Sequence, residues 1–216
     1  MTPAPAVELA GGLFRWTAAH PAWRPGAPPG SPDDWAQLVG SVFYDAGEVA
    51  ALIDPLLPAE PSERERLLAW LDRLAGTRPV SVLTTVSHHR RDREQFAERY
   101  AGRSPRAWNA VPHGVVPKPL RGAGETAYWL EDVRALVFGD RLLGEGGGQG
   151  PDEGAGGVRL CPESWLRDVR VDRAGLAHQM RPLLELPVEL LVVSHGEPVL
   201  RDGRAALARA IREAGE

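Results

Sequence analysis

Lysine is almost missing from this chain. Lys118 is the only one, and arginine supplies every other basic side chain. Net charge is −4 and no basic stripe is present, which argues against a nucleic-acid partner. Cysteine is equally scarce. Cys161 stands alone, so no intrachain disulfide can form, and a reducing, cytoplasmic location is the simple expectation. No run reaches the roughly 18 apolar residues of a membrane span. The start, "MTPAPAVELAGG", lacks the charged-then-apolar order of a signal peptide. These gaps argue against a secreted disulfide scaffold, a membrane protein and a basic nucleic-acid binder.

What remains suits an ordinary globular chain. Its 216 residues are 43% hydrophobic and 25% charged, enough to bury a core without disulfides. One domain over 1–216 is expected. Residues 7–17 read as two strands joined at Gly11-Gly12. "HPAWRPGAPPGSPDDW" is a Pro/Gly-rich loop, flanked by Trp16, Trp23 and Trp35. "LVGSVFYDA" and "EVAALIDPLLP" form a hairpin. "SERERLLAWLDRLAG" has helical spacing, with Ser62 and Glu65 as a capping box and Gly76 as the stop. Residues 80–86 read as a buried strand and 92–100 as a helix. "AWNAVP" and "GVVP" read as short strands, and "ETAYWLEDVRALVFGD" as a hairpin turning at "LEDVR". "GEGGGQGPDEGAGG" is a glycine-rich linker that matches no phosphate-binding loop. "PESWLRDV" and "RAGLAHQMRPLLEL" read as helices, "VELLVVSHGEP" as a buried strand, and "GRAALARAIREAG" as the last helix.

Several strands end in residues able to bind metal: Asp54 after "ALI", His88 and His89 after "VLTTVS", Asp140 after "ALVFG", and His195 after "LLVVS". Strand-end loops build sites because a sheet fixes their bases while their tips stay reachable. The order of these ends resembles the metallo-β-lactamase superfamily, over nearly the whole chain. "LIDP" resembles its first Asp motif, "SHHRRDR" its Thr-His-x-His-x-Asp-His signature, and "VSHGEP" its last His motif. "ETAYWLEDVRALVFGD" resembles the strand pair that follows a Gly-His-Thr-type turn. The resemblance implies an αββα sandwich with metals at one edge of two facing sheets.

The departures matter as much as the matches. By the resemblance, His88 keeps the first ligand of one metal, while the next two fall on Arg90 and Arg121. A guanidinium has no lone pair to offer and repels a cation. The other metal's set keeps Asp92, Asp140 and His195 and loses a histidine at Arg93. The resemblance thus implies one divalent ion at most, zinc or another. Asp92 and His195 would be its catalytic ligands, Asp140 and His88 would join them, and Asp54 and His89 would lie behind. Two functions follow. One is a hydrolase that uses a metal-bound water on an ester-, thioester- or amide-like bond of a small molecule. The other is a metal-free binding protein whose Arg90, Arg93 and Arg121 hold an anionic ligand. His113 lies eight residues before the aligned turn and is not expected to replace the lost ligand, and His20 and His178 are expected to be structural.

Overall fold

The structure is a computed structural model that describes residues 5–103, 109–145 and 156–215. Eleven strands and four α-helices are described. The first sheet runs β1 (Val7–Ala10), β2 (Leu13–Ala19), β3 (Leu38–Ala46), β4 (Val49–Ile53), β5 (Val80–Leu83), in that spatial order. The second is ordered β11 (Leu190–Val193), β8 (Ala135–Phe138), β7 (Glu125–Leu130), β6 (Val115–Leu120). A two-stranded ribbon joins β9 (Leu142–Glu145) to β10 (Gly157–Leu160). Helices α1 (Pro61–Ala75) and α2 (Arg93–Tyr100) belong to the first half, α3 (Arg173–Met180) and α4 (Gly203–Glu213) to the second.

Strand alternation builds the layers. Side chains of successive strand residues point to opposite faces. Phe43 and Leu52 therefore face α1 and α2, where they pack with Leu67, Leu71, Phe96 and Tyr100. Their neighbours Val42, Tyr44 and Ile53 face inward and meet Tyr128, Leu130, Val137 and Val192 of the second sheet. Leu136 and Phe138 face outward again, onto Leu176, Met180, Leu207 and Ile211 of α3 and α4. Three apolar layers separate four structural ones, and the result is the expected αββα sandwich. Each fully buried Leu, Ile or Phe contributes roughly 1.5–3 kcal/mol of transfer free energy to these layers.

Some local expectations are corrected. Helix α1 begins at Pro61 with Glu60 at the N-cap and no side-chain cap, so Ser62 lies inside the first turn and forms no capping box. Proline at the first helical position needs no N–H partner, which removes the demand for one. Gly76 does stop the helix, at φ 58°. Strand β5 ends at Leu83 rather than Val86, because the chain turns there toward the second sheet and Val86 bridges to Glu125. Of "AWNAVP", residues 109–112 form no strand. Most of the glycine-rich linker lies outside the described residues. The "PESWLRDV" segment is a short 3-10 turn, Glu163–Leu166.

Two parallel pairings place the site. β4 runs parallel to β5 with Ile53 opposite Leu83, and β8 parallel to β11 with Phe138 opposite Val193. All four chains therefore leave their sheets in matched pairs at the same end. The loops they feed carry Asp54, His88 and His89, Asp140, and His195. The sheets are stitched together there: Gly40 N–H donates to Ser194 O (2.7 Å), Thr126 N–H to Thr85 O (2.8 Å), and Arg15 Nη2 to Gly196 O (2.7 Å). Gly40 is required by this approach, since a Cβ there would lie 2.8 Å from Val193 O.

Candidate metal centre

Asp140 is the hub. It ends the "ALVFGD" strand and is almost fully buried. His88 Nε2 lies 2.6 Å from its Oδ2, while His89 Nε2 and His195 Nε2 lie 2.9 and 3.2 Å from its Oδ1. Three imidazoles thus turn the same nitrogen toward one carboxylate. His88, His89 and Asp140 each offer one ligand atom, all within 4.8 Å of one another. Behind them, Asp54 lies 2.9 Å from His89 Nδ1. Its carboxylate also accepts the Thr85 N–H (2.8 Å) and the Thr85 hydroxyl. Burial and both carboxylates act on His89 in opposite directions. Burial alone lowers its pKa, but Asp54 and Asp140 outweigh it and push it up to about 9. For Asp140, burial is likewise outweighed by the three imidazoles, which hold it well below the usual carboxylate range. His195 is lowered, first by burial.

His195 is aimed by its turn. Its carbonyl accepts the Gly144 N–H (2.8 Å), and the next residue, Gly196, has φ 83°. A Cβ on Gly196 would lie 2.3 Å from Gly144 O, so only glycine fits. Two indoles pack edge-on against the His195 ring, Trp35 at 5.8 Å and Trp165 at 5.3 Å between centroids. They form part of the wall of a cavity of about 620 Å³ that also reaches His20, Arg91, Arg141 and Asp168. The Pro-rich loop closes over it. Ser164 Oγ donates to Gly30 O (2.7 Å) and Trp165 Nε1 to Ser31 O (3.2 Å), which tie that loop to the 163–166 turn.

The structure brings together His88, Asp140 and His195, and adds His89 to their face rather than behind it. Asp54 stands behind His89. Asp92 is not brought in: its Oδ2 accepts the Leu57 N–H (2.7 Å) and its Oδ1 the Gln95 side-chain amide (2.7 Å). Arg90 and Arg121 are exposed, Arg93 pairs with Glu94 at 2.9 Å, and none of the three lines the cavity. His113 and His178 are exposed and outside it, whereas His20 does line it. Of the three N-terminal tryptophans, Trp16 is core, with Nε1 donating to Leu56 O (2.8 Å), and Trp23 donates to Trp35 O (2.9 Å). Only Trp35 reaches the cavity.

Sequence reasoning missed three charged groups. Arg91, at φ 42°, sends Nη1 to Gly40 O (2.7 Å) and Asp54 O (2.8 Å), strapping the signature loop to the first sheet. Buried Arg141 donates to Ala123 O (2.7 Å) and Trp165 O (3.0 Å). Glu125 is buried and accepts backbone N–H groups from Gly139, Asp140 and Arg141. Burial and the Asp140 charge push its pKa up to about 7, against the pull of those three donors. Its signal was present: Gly124-Glu125-Thr126 keeps the Gly and Thr of the Gly-His-Thr pattern, with Glu125 in place of the histidine, at the start of β7 and four residues beyond Arg121.

A divalent cation fits this donor set. Three neutral imidazoles and a carboxylate are the ligand types zinc takes, and a carboxylate behind a ligating imidazole fixes its tautomer.

No family model matches the sequence, and no curated protein matches it. Solved structures do match. A metallo-β-lactamase from Erythrobacter litoralis with β-mercaptoethanol in its active site superposes at TM-score 0.59 and 16% identity, over 97% of this chain and 95% of that one. The mono-zinc form of an NDM/FIM-1-like metallo-β-lactamase from the same organism gives 0.55 and 15%, over 97% and 95%. A metallo-β-lactamase from Pontibacter korlensis gives 0.54 and 14%, over 97% of each chain. At such identities the likeness carries the fold: this chain has the metallo-β-lactamase fold.

Proposed function

We propose that this chain is a hydrolase that holds one divalent cation between His88, His89, His195 and Asp140 and opens an ester-, thioester- or amide-like bond of a small molecule. The single observation that carries this reading is the convergence of three imidazole Nε2 atoms on Asp140, with Asp54 behind one of them. When bound, a cation such as zinc supplies a water whose pKa is lowered toward neutrality. The protein's own groups do the rest. Asp54 keeps the His89 proton on Nδ1, which frees the Nε2 electron pair for a ligand. The Gly144–His195 and Arg15–Gly196 contacts hold the His195 turn in place. Trp35 and Trp165 exclude water from one side of the cavity and suit an apolar substrate portion.

The second reading, a metal-free anion-binding protein, draws on the placement of His89 between two carboxylates and on Arg91 and Arg141 in the wall. Its weakness is that both guanidiniums already donate to backbone carbonyls. Metal content per chain, measured by plasma mass spectrometry on protein purified without a metal-affinity tag, separates the two. About one zinc, iron or manganese per chain, lost in His195→Ala, supports the hydrolase. A content near zero that stays near zero after reconstitution overturns it.

A further inference from the structure

Glu125 has no part in that reaction, because both its oxygens are already used. Oε1 accepts the Gly139 N–H at 3.0 Å, and Oε2 accepts those of Asp140 and Arg141 at 2.7 and 2.9 Å. The three donors are successive residues of the turn that leaves β8. The pairing of β8 with β11 ends at Phe138 opposite Val193. Beyond that point the turn's N–H groups lie buried with no strand to serve them, and such groups must find another acceptor. A two-oxygen side chain from the first residue of β7 provides it. The backbone around Glu125 meanwhile holds the other loop: Glu125 bridges Val86, and Thr126 N–H donates to Thr85 O, just before His88 and His89. One residue therefore joins the loop that carries two imidazoles to the turn that carries their carboxylate.

We propose that Glu125 is a positioning residue that sets the Asp140 carboxylate against His88, His89 and His195. Its geometry needs two acceptors. In Glu125→Gln one oxygen becomes an amide nitrogen, which would face a backbone N–H with another donor. The turn must then rotate, and Asp140 with it. The inference serves the proposed cation site, yet it can be tested without metal, so the two can fail separately.

The test uses the full chain, stripped of metal, with ¹⁵N-labelled histidine. At fixed pH, Glu125→Gln is expected to shift the ring nitrogen signals of His88, His89 and His195 while far-UV circular dichroism stays unchanged. Arg99→Ala, which breaks the distant pair with Asp72, is the control for simple destabilisation and is expected to leave those rings unmoved. Cobalt(II) added to both proteins is expected to bind the Gln variant ~10–100-fold more weakly, as for other groups that orient ligands. A folded Glu125→Gln chain with unchanged ring signals overturns the proposal. If the unsubstituted chain takes no cobalt, the cation reading fails while the ring signals still decide the role of Glu125. If the variant does not fold, amide exchange in the unsubstituted chain decides instead. Slow exchange at Gly139, Asp140 and Arg141 supports the proposal, and exchange at open-chain rates overturns it.

Discussion

Asp54→Asn tests the electrostatics of the pocket most directly. The change is isosteric, and asparagine tolerates the φ of 49° at this position. In the metal-free chain, burial disfavours the His89 imidazolium, but Asp54 and Asp140 prevail and raise its pKa from 6.5 to about 9. A raised folded-state pKa gives stability that is fully present below the unfolded pKa and is lost as pH rises through the folded one. Over the whole window this amounts to about 3 kcal/mol. Glu125, His20 and His195 also titrate, with folded pKa values at or below about 7 for Glu125 and lowered for both histidines. Their contributions are nearly complete by about pH 7.5, whereas burial pushes the Cys161 thiol from 9.0 up to about 11 and adds a further loss in the same direction toward about pH 9.5, which Asp54→Asn leaves in place. Between about pH 7.5 and about pH 9.5 the unsubstituted chain should therefore lose about 2 kcal/mol from His89 alone. Asparagine removes one of the two carboxylates, so this loss should shrink to about half or less. The amide also faces Nδ1 with a donor, which drives the remaining proton to Nε2 and closes that nitrogen to metal. Urea unfolding in a chelating buffer across this range measures the slope, and histidine ¹⁵N shifts report the tautomer. An unsubstituted chain whose stability is flat over the range, or an Asn variant with the same slope, would refute the argument.

Other substitutions separate the site from its scaffold. Asp92→Ala should leave zinc uptake unchanged and cost about 1–2 kcal/mol in urea unfolding, because it unpairs the Leu57 N–H and touches nothing in the cluster. Arg91→Leu strips the donors from Gly40 O and Asp54 O and removes a charge beside Asp54. A loss of about 3–5 kcal/mol is expected by chemical denaturation, the cost of breaking a buried pair. Gly196→Ala puts a Cβ 2.3 Å from Gly144 O at φ 83°, so it should cost more than about 2 kcal/mol and weaken cobalt(II) binding by displacing His195.

The layers were legible because they rest on a two-residue period. Val42-Phe43-Tyr44 and Leu136-Val137-Phe138 alternate between cores, and the apolar runs that record this are plain in the sequence. The strand-end residues were legible for the same reason: a run of buried residues that stops at Asp54, Asp140 or His195 marks where a sheet ends. Arg91, Arg141 and Glu125 were not legible. Each owes its place to backbone groups exposed by turns, and the demand of a turn for an acceptor or donor leaves no period behind. Trp165 was hidden in a similar way, since it reaches the cavity from a segment that reads as an ordinary helix and folds as a single 3-10 turn.

The signature loop shows why spacing alone misassigned partners. The resemblance pairs position 88 with position 90, and alternate residues share a face where the chain is extended. Here the strand has ended at Leu83, and residues 87–92 turn, with His89 N–H on Val86 O and Arg91 at positive φ. In a turn, neighbours can converge. His88 and His89 do so, with rings 5.1 Å apart, one exposed and one buried, and both with Nε2 on Asp140. The same turn carries Arg90 outward and draws Arg91 beneath the loop. It also leaves Asp92 at the start of α2, where its oxygens are taken by Leu57 and Gln95. Two adjacent histidines and an inward arginine are thus one consequence of an early strand end.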